Sequence, residues 1–142
     1  MTRINLVEPH QLTDKHLMAE YRELPRIFTA VLKLQEQGKT PADVDIPDQY
    51  VLGQGHMKFF YDKTFWLEKR YEQLYSELRQ RGFNLDINLY LSVLAHSGNI
   101  APCWYGTYQP KPEDIYLNMV RLCKRSKIPS VLEEFNEPLV TA

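Results

Sequence analysis

His16-Leu17-Met18-Ala19-Glu20-Tyr21-Arg22-Glu23-Leu24-Pro25-Arg26 is the stretch on which the fold turns. Leu17, Tyr21 and Leu24, continued by Phe28 and Val31, recur at spacings of four, three, four and three. Such a stripe is one face of an amphipathic helix and does not fit a strand, whose apolar side chains alternate. Thr13 and Asp14, just before it, are both good N-cap residues, because a short side-chain oxygen can accept from the free N–H groups of a first turn. Gly38, with Pro41 beyond it, supplies a stop, so the helix is expected to run to about Gln37. Pro25 has no N–H to donate and is expected to kink this helix or to begin a second segment.

Before this helix, residues 1–12 show no periodicity and contain Pro9, so they are expected to form an extended arm. After it, residues 39–62 form a long connector with Pro41, Pro47, Gly53 and Gly55, in which Tyr50 to Met57 reads as a short strand-like piece or a loop. A second helix is expected from Asp62 or Thr64, with Leu67, Tyr71, Leu74 and Leu78 as its buried stripe and Gly82 as its end. Leu85 to Leu94 fits either a short helix or a buried loop. Pro110, Pro112, Glu113 and Asp114 mark a third helix start, with Ile115, Met119 and Leu122 on its apolar side and Pro129 as its stop. The expectation is an all-α single domain over residues 1–142: three main helices around one core, long connectors and no sheet.

Composition sets limits on function. The 142 residues carry a net charge of −1, which argues against a strong non-specific nucleic-acid binder. A local positive face remains available, because Arg121, Lys124, Arg125 and Lys127 form a basic run ahead of the acidic Glu133, Glu134 and Glu137. Cys103 and Cys123 have neither metal spacing nor a disulfide framework, which suggests a reduced cytoplasmic setting. Arg3 and Asn5 interrupt any secretory-type apolar start, and no run is long enough for a membrane span. His10, His16, His56 and His96 share no ligand spacing with Cys or acids, so neither a metal nor another cofactor is expected. Without coiled-coil heptads, a monomer is the default.

Two features can carry chemistry. On the first helix Arg22 and Arg26 stand four apart, a like-charged pair that is easier to understand if an anion bridges it. Glu20 and Glu23 stand three apart, so paired carboxylates are conceivable, although a solvated charged face is the commoner meaning of such a pattern. The second feature is the start itself. Thr2 is small, so removal of Met1 is expected, and this exposes an α-amine. Such an amine has a pKa of about 7.7–8.0 against about 10.4 for lysine, and keeps a useful fraction of free base near neutral pH. A free amine attacks aldehyde-like carbon to give an imine, and an N-terminal Thr can also act through its hydroxyl. Met-Thr is equally a commonplace start with no chemistry.

Beyond spacing, the letters themselves are informative. Thr2-Arg3-Ile4-Asn5-Leu6, His16 through Arg26, Leu52-Gly53-x-Gly55-His56, Phe59-Phe60-Tyr61-Asp62-Lys63 and Arg81-Gly82-Phe83-Asn84 resemble the phage endonuclease V family. These are pyrimidine-dimer DNA glycosylases that also cleave abasic sites. The resemblance is continuous from residue 1 to about 84 and returns faintly at Gly106-x-Tyr108-x-Pro110 and Arg121-Leu122. It implies an all-helical domain with its N-terminal arm threaded among the helices. It also implies that the Thr2 amine attacks C1′ of the damaged nucleotide, displaces the base and forms a covalent imine. Glu23 matches the family's essential carboxylate, and Arg3, Arg22 and Arg26 match residues that hold the DNA backbone. His16 matches a residue beside the site, Lys15 is carried over as a phosphate contact only, and Arg121 and Arg125 match basic positions of the third helix. The implied partner is duplex DNA carrying a lesion, kinked so that a base opposite the lesion is flipped out. Two other readings remain: a catalytically idle helical protein that binds damaged DNA, and the same chemistry on another lesion. The end of the chain departs from the family, because Val131 to Glu137 is acidic where the phage enzyme has a Trp-Tyr segment. Trp104-Tyr105-x-x-Tyr108 resembles that segment in composition but precedes the third helix.

Overall fold

Thr13 caps the first helix as its chemistry suggests, its hydroxyl oxygen accepting from the His16 N–H at 3.3 Å. A computed structural model describes residues 2–126, so the expectations for Pro129 and for the acidic end of the chain lie outside the described residues. Helix α1 spans Asp14–Glu23 and α2 spans Pro25–Glu36. Pro25 begins the second segment. Leu24, with helical φ −54° and ψ −42°, serves as the hinge, donating to the Glu20 carbonyl and accepting from the Ile27 N–H. The apolar stripe therefore crosses the break intact, and Leu17, Tyr21, Leu24, Phe28 and Val31 are all buried. Full burial of side chains of this size contributes about 1.5–3 kcal/mol each relative to exposure.

The connector holds a short helix, α3, at His56–Phe59, where a strand-like piece or a loop was expected. Gly55 sits just before it at φ +91°, in the left-handed region that a side chain would strain, and a Cβ there would meet Pro47 Cγ at 3.3 Å. Helix α4, Thr64–Gln80, is the central element. Its predicted stripe of Leu67, Tyr71, Leu74 and Leu78 is buried against α1 and the arm. At the start of α4 the Trp66 N–H, left free by helix geometry, is met by the Gly106 carbonyl at 3.3 Å. Gly106 must be glycine for this approach, because a Cβ would lie 2.5 Å from the Asp62 carbonyl oxygen.

The segment that fitted either helix or loop is helix α5, Ile87–Ser97, begun by an Asp86 side chain that accepts from the Asn88 and Leu89 N–H groups. With the first expected helix divided into α1 and α2 and α5 added, the described residues hold five substantial helices where three were expected. Helix α6, Pro112–Ser126, starts where the prolines and acids placed it. Asp114 reaches back to the Lys111 N–H at 3.3 Å and accepts from the Tyr108 hydroxyl at 2.6 Å. Met119 and Leu122 face the core. Tyrosines seam α1, α4 and α5 together: Tyr21 and Tyr71 stack with centroids 4.8 Å apart, and Tyr75 and Tyr90 at 3.7 Å. The chain is all-α, and among the described residues the only ladder-type pairing is an isolated bridge between Lys63 and Tyr105.

Candidate active site

Residues 2 to 7 enter the middle of this bundle without pairing to any strand, so their backbone polar groups need side-chain partners. They find them on four different elements. Glu23 of α1 accepts from the Arg3 N–H at 3.3 Å. His56 of α3 accepts from the Ile4 N–H at 2.9 Å, and the Tyr50 hydroxyl donates to the Ile4 carbonyl at 3.3 Å. Asn118 of α6 accepts with one oxygen from the Leu6 and Val7 N–H groups, at 2.7 and 3.3 Å. Arg70 of α4 donates to the Val7 carbonyl at 2.7 Å. The arm is threaded between helices and held there by its backbone, while Ile4, Leu6 and Val7 bury their side chains.

A buried polar network joins the same elements. Glu20 and Arg70 form a two-pronged ion pair, at 2.7 and 3.0 Å, with side-chain exposures of 1% and 4%. Asn5 donates to Glu20 at 2.8 Å, and its carbonyl oxygen accepts from Asn118 at 2.8 Å and from Arg121. Glu20 is therefore a neutralised structural group. It is not one half of a carboxylate pair with Glu23, because its charge is already committed to Arg70.

Against this network opens a cleft of about 440 Å³, lined by Arg3, Lys15, His16, Glu20, Glu23 and Arg121 among others. Five of the residues singled out from sequence thus meet at one place: Arg3, Lys15, His16, Glu23 and Arg121. Thr2 is buried next to them, one residue (about 3.8 Å between Cα atoms) from the N–H that Glu23 holds. Arg22 and Arg26 are exposed and do not line the cleft, and neither pairs with another described residue. Arg125 belongs to α6, but its side chain lies outside the described residues. The cleft combines several cations with one part-buried carboxylate, Glu23, that makes no ion pair among the described residues. That suits a phosphate-bearing ligand with a reacting centre near Glu23.

Spacing assigns no role to four residues of this site: Arg70, Asn118 and His56 bond backbone groups of the arm far away in the chain, and Asn5 bonds the side chains of Glu20, Asn118 and Arg121. For Arg70 a faint signal existed, since a charged residue shares the helix surface of Leu67, Tyr71 and Leu74. Burial pushes the His56 pKa down from the ordinary 6.5 to about 4, with the positive Arg121 and Arg3 acting in the same direction. The imidazole is therefore neutral near pH 7. Trp104 is fully buried in the core, and Tyr108, partly buried and donating to Asp114, packs against it. Among the described residues Cys103 and Cys123 form no disulfide. Among the described residues there is no cluster of three or more potential metal ligands, and no helix long and apolar enough to cross a membrane.

A family model described as pyrimidine dimer DNA glycosylase matches residues 1–91, well over half of the 142-residue chain. The matched part takes in the arm, α1 to α4 and the start of α5. It contains every cleft residue named above except Arg121.

Proposed function

The chain belongs to the pyrimidine dimer DNA glycosylase family of DNA repair enzymes, and on that premise we propose that it is a glycosylase with abasic-site lyase activity working through the amine of Thr2. The observation that carries this reading is the hydrogen bond from the Arg3 N–H to Glu23 at the edge of the cationic cleft. Because Arg3 follows Thr2, that bond supports a Thr2 amine near a carboxylate and near the cations of the cleft. Removal of Met1 turns the Thr2 nitrogen into a primary amine.

The chemistry follows from those two groups. The amine lone pair attacks C1′, the C1′–base bond breaks with its electrons leaving on the base, and the nitrogen loses a proton. The sugar ring then opens: the nitrogen lone pair forms the C=N bond, and O4′ leaves with the ring bond's electrons and takes up a proton. Glu23 stabilises the positive charge that develops at C1′ and shuttles protons, roles that a carboxylate beside the amine can fill. The protonated imine acidifies C2′, so loss of a C2′ proton to a base expels the 3′ phosphate by β-elimination. Hydrolysis of the remaining imine returns the amine. Arg3, Lys15, His16 and Arg121 hold phosphates around this centre. Arg22 and Arg26, on the exposed surface outside the cleft, and Arg125 extend the contact along the duplex.

Borohydride reduction tests the reading directly. Protein lacking Met1 is expected to become covalently attached to ultraviolet-irradiated or abasic duplex, with chelator present. Tight binding without any adduct would instead describe a catalytically idle damaged-DNA binder. A second reading, the same chemistry on another lesion, is favoured by one observation: Trp104 is buried and therefore does not supply an aromatic surface for a dimer. Comparing cleavage of dimer, abasic and oxidised-base duplexes separates the two. A single domain over residues 1–142, acting as a monomer, completes the proposal.

A further inference from the structure

Ile4 is the one residue of the arm whose N–H and C=O are both taken by side chains of the connector, through His56 and Tyr50. The His56 ring is fixed in turn. Its Nδ1 lies 2.7 Å from the Val51 carbonyl oxygen, which can only accept, so Nδ1 carries the proton and Nε2 offers its lone pair to Ile4. Tyr50 and Phe60 meet the ring edge-on, with centroids at 5.4 and 5.6 Å. The ring is 3% exposed, and the Ile4 side chain is fully buried. Ile4 can neither slide along the channel nor turn its peptide while these bonds hold.

We infer that His56 and Tyr50 are positioning residues for the Thr2 amine: by gripping both polar groups of Ile4, they set how far the two preceding residues reach into the cleft. The inference rests on the reading of Thr2 as nucleophile. Its physical basis is the steep dependence of rate on alignment, where a misplacement of about 1 Å can cost roughly 100-fold. Glu23 holds Arg3 from one side only, so without the Ile4 anchor the amine would sample a wider volume.

The experiment uses full-length protein with Met1 removed, in three forms: wild type, His56→Leu and His56→Gln. Leucine removes the acceptor; glutamine places a carbonyl oxygen near the position of Nε2. Two quantities are read per folded molecule: the single-turnover rate of borohydride trapping on an abasic duplex, and the Kd for a duplex carrying an unreactive reduced abasic analogue. His56→Leu is expected to trap at least about 10-fold more slowly with Kd unchanged, and His56→Gln to recover most of the rate. A purely structural role would lower the folded fraction and leave the rate per folded molecule alone. Trapping by His56→Leu at the wild-type rate, or a glutamine variant no better than leucine, would overturn the inference and leave the Thr2 reading standing. Absence of any adduct with wild type would overturn both. If His56→Leu does not fold, Tyr50→Phe decides: it keeps the ring and loses only the bond to the Ile4 carbonyl, so slower trapping at unchanged Kd supports the inference and an unchanged rate overturns it.

Discussion

Glu23 accepts a hydrogen bond from the Arg3 N–H at 3.3 Å, and so the same carboxylate proposed for chemistry also holds the arm. The two roles can be separated. Glu23→Gln keeps an oxygen that accepts from Arg3 but has no negative charge and no useful basicity. Base release and strand cleavage are expected to fall by at least about 100-fold, the scale of a lost general acid–base group. The thermal midpoint and the affinity for an abasic duplex are expected to stay near wild type. Measuring release on irradiated DNA beside a melting curve checks this; a variant with near-normal turnover would remove Glu23 from the chemistry.

The Glu20–Arg70 pair makes the opposite prediction. Both groups are almost fully buried, and each also bonds the arm, Glu20 through Asn5 and Arg70 through the Val7 carbonyl. Arg70→Met leaves Glu20 as an uncompensated buried charge. The expected loss is about 3–5 kcal/mol of folding stability, the usual result of removing one partner of such a pair. Urea denaturation measures it. A loss below about 1 kcal/mol, the range of an exposed pair, would show that the pair is not buried in solution as it is in the structure.

These two carboxylates also mark how far the sequence could be read. Leu17, Tyr21, Leu24, Phe28 and Val31 announced their helix because burial is periodic, and the stripe of α4 did the same. Glu20 and Glu23 looked alike in sequence, three apart on the same polar side. What distinguishes them is Arg70, fifty residues later, and no local rule couples those positions. Resemblance selected Glu23, Arg3, Lys15, His16 and Arg121 for one site, and they do line one cleft. Asn5, whose side chain meets those of Glu20, Asn118 and Arg121, and His56 and Asn118, which satisfy backbone groups of an arm that pairs with no strand, have no role that spacing assigns. Those contacts exist only once the arm is threaded. Helix α5 was ambiguous for another reason: Ile87, Leu89 and Leu91 are exposed, so its apolar residues do not form one buried stripe.

His56 gives a pH dependence of defined sign. Its folded pKa of about 4 lies below the ordinary 6.5, because burial disfavours the charged ring. The folded state therefore binds fewer protons than the unfolded state between those values. The contribution is fully present above about pH 6.5, is lost as pH falls toward 4, and changes no further below. The total is on the order of 3 kcal/mol. Arg3 and Arg121 act on the ring through their positive charge, and ionisable groups elsewhere in the chain respond to pH in wild type and variant alike. The comparison is therefore wild type minus His56→Gln, by urea denaturation from pH 7.5 to 4. The difference is expected to shift against wild type as pH falls; a flat difference would contradict a neutral, buried His56.

Arg22 and Arg26 lie exposed and outside the cleft, without ion pairs among the described residues. That arrangement suits contact with the duplex backbone more than contact with the reacting sugar. Each phosphate neutralised by a protein cation releases condensed counterions, contributing about 0.9 to the slope of log affinity against log salt. Arg22→Ala is expected to reduce that slope by roughly one, weaken binding to damaged and undamaged duplex about equally, and leave the trapping rate at saturation near wild type. Arg3 and Arg121 sit in the cleft beside Glu23, so alanine at either position should also slow trapping at saturation. Binding titrations at several salt concentrations, paired with single-turnover trapping, separate the two classes. An Arg22 variant that binds normally but traps slowly would move this residue from the backbone contact to the site of reaction.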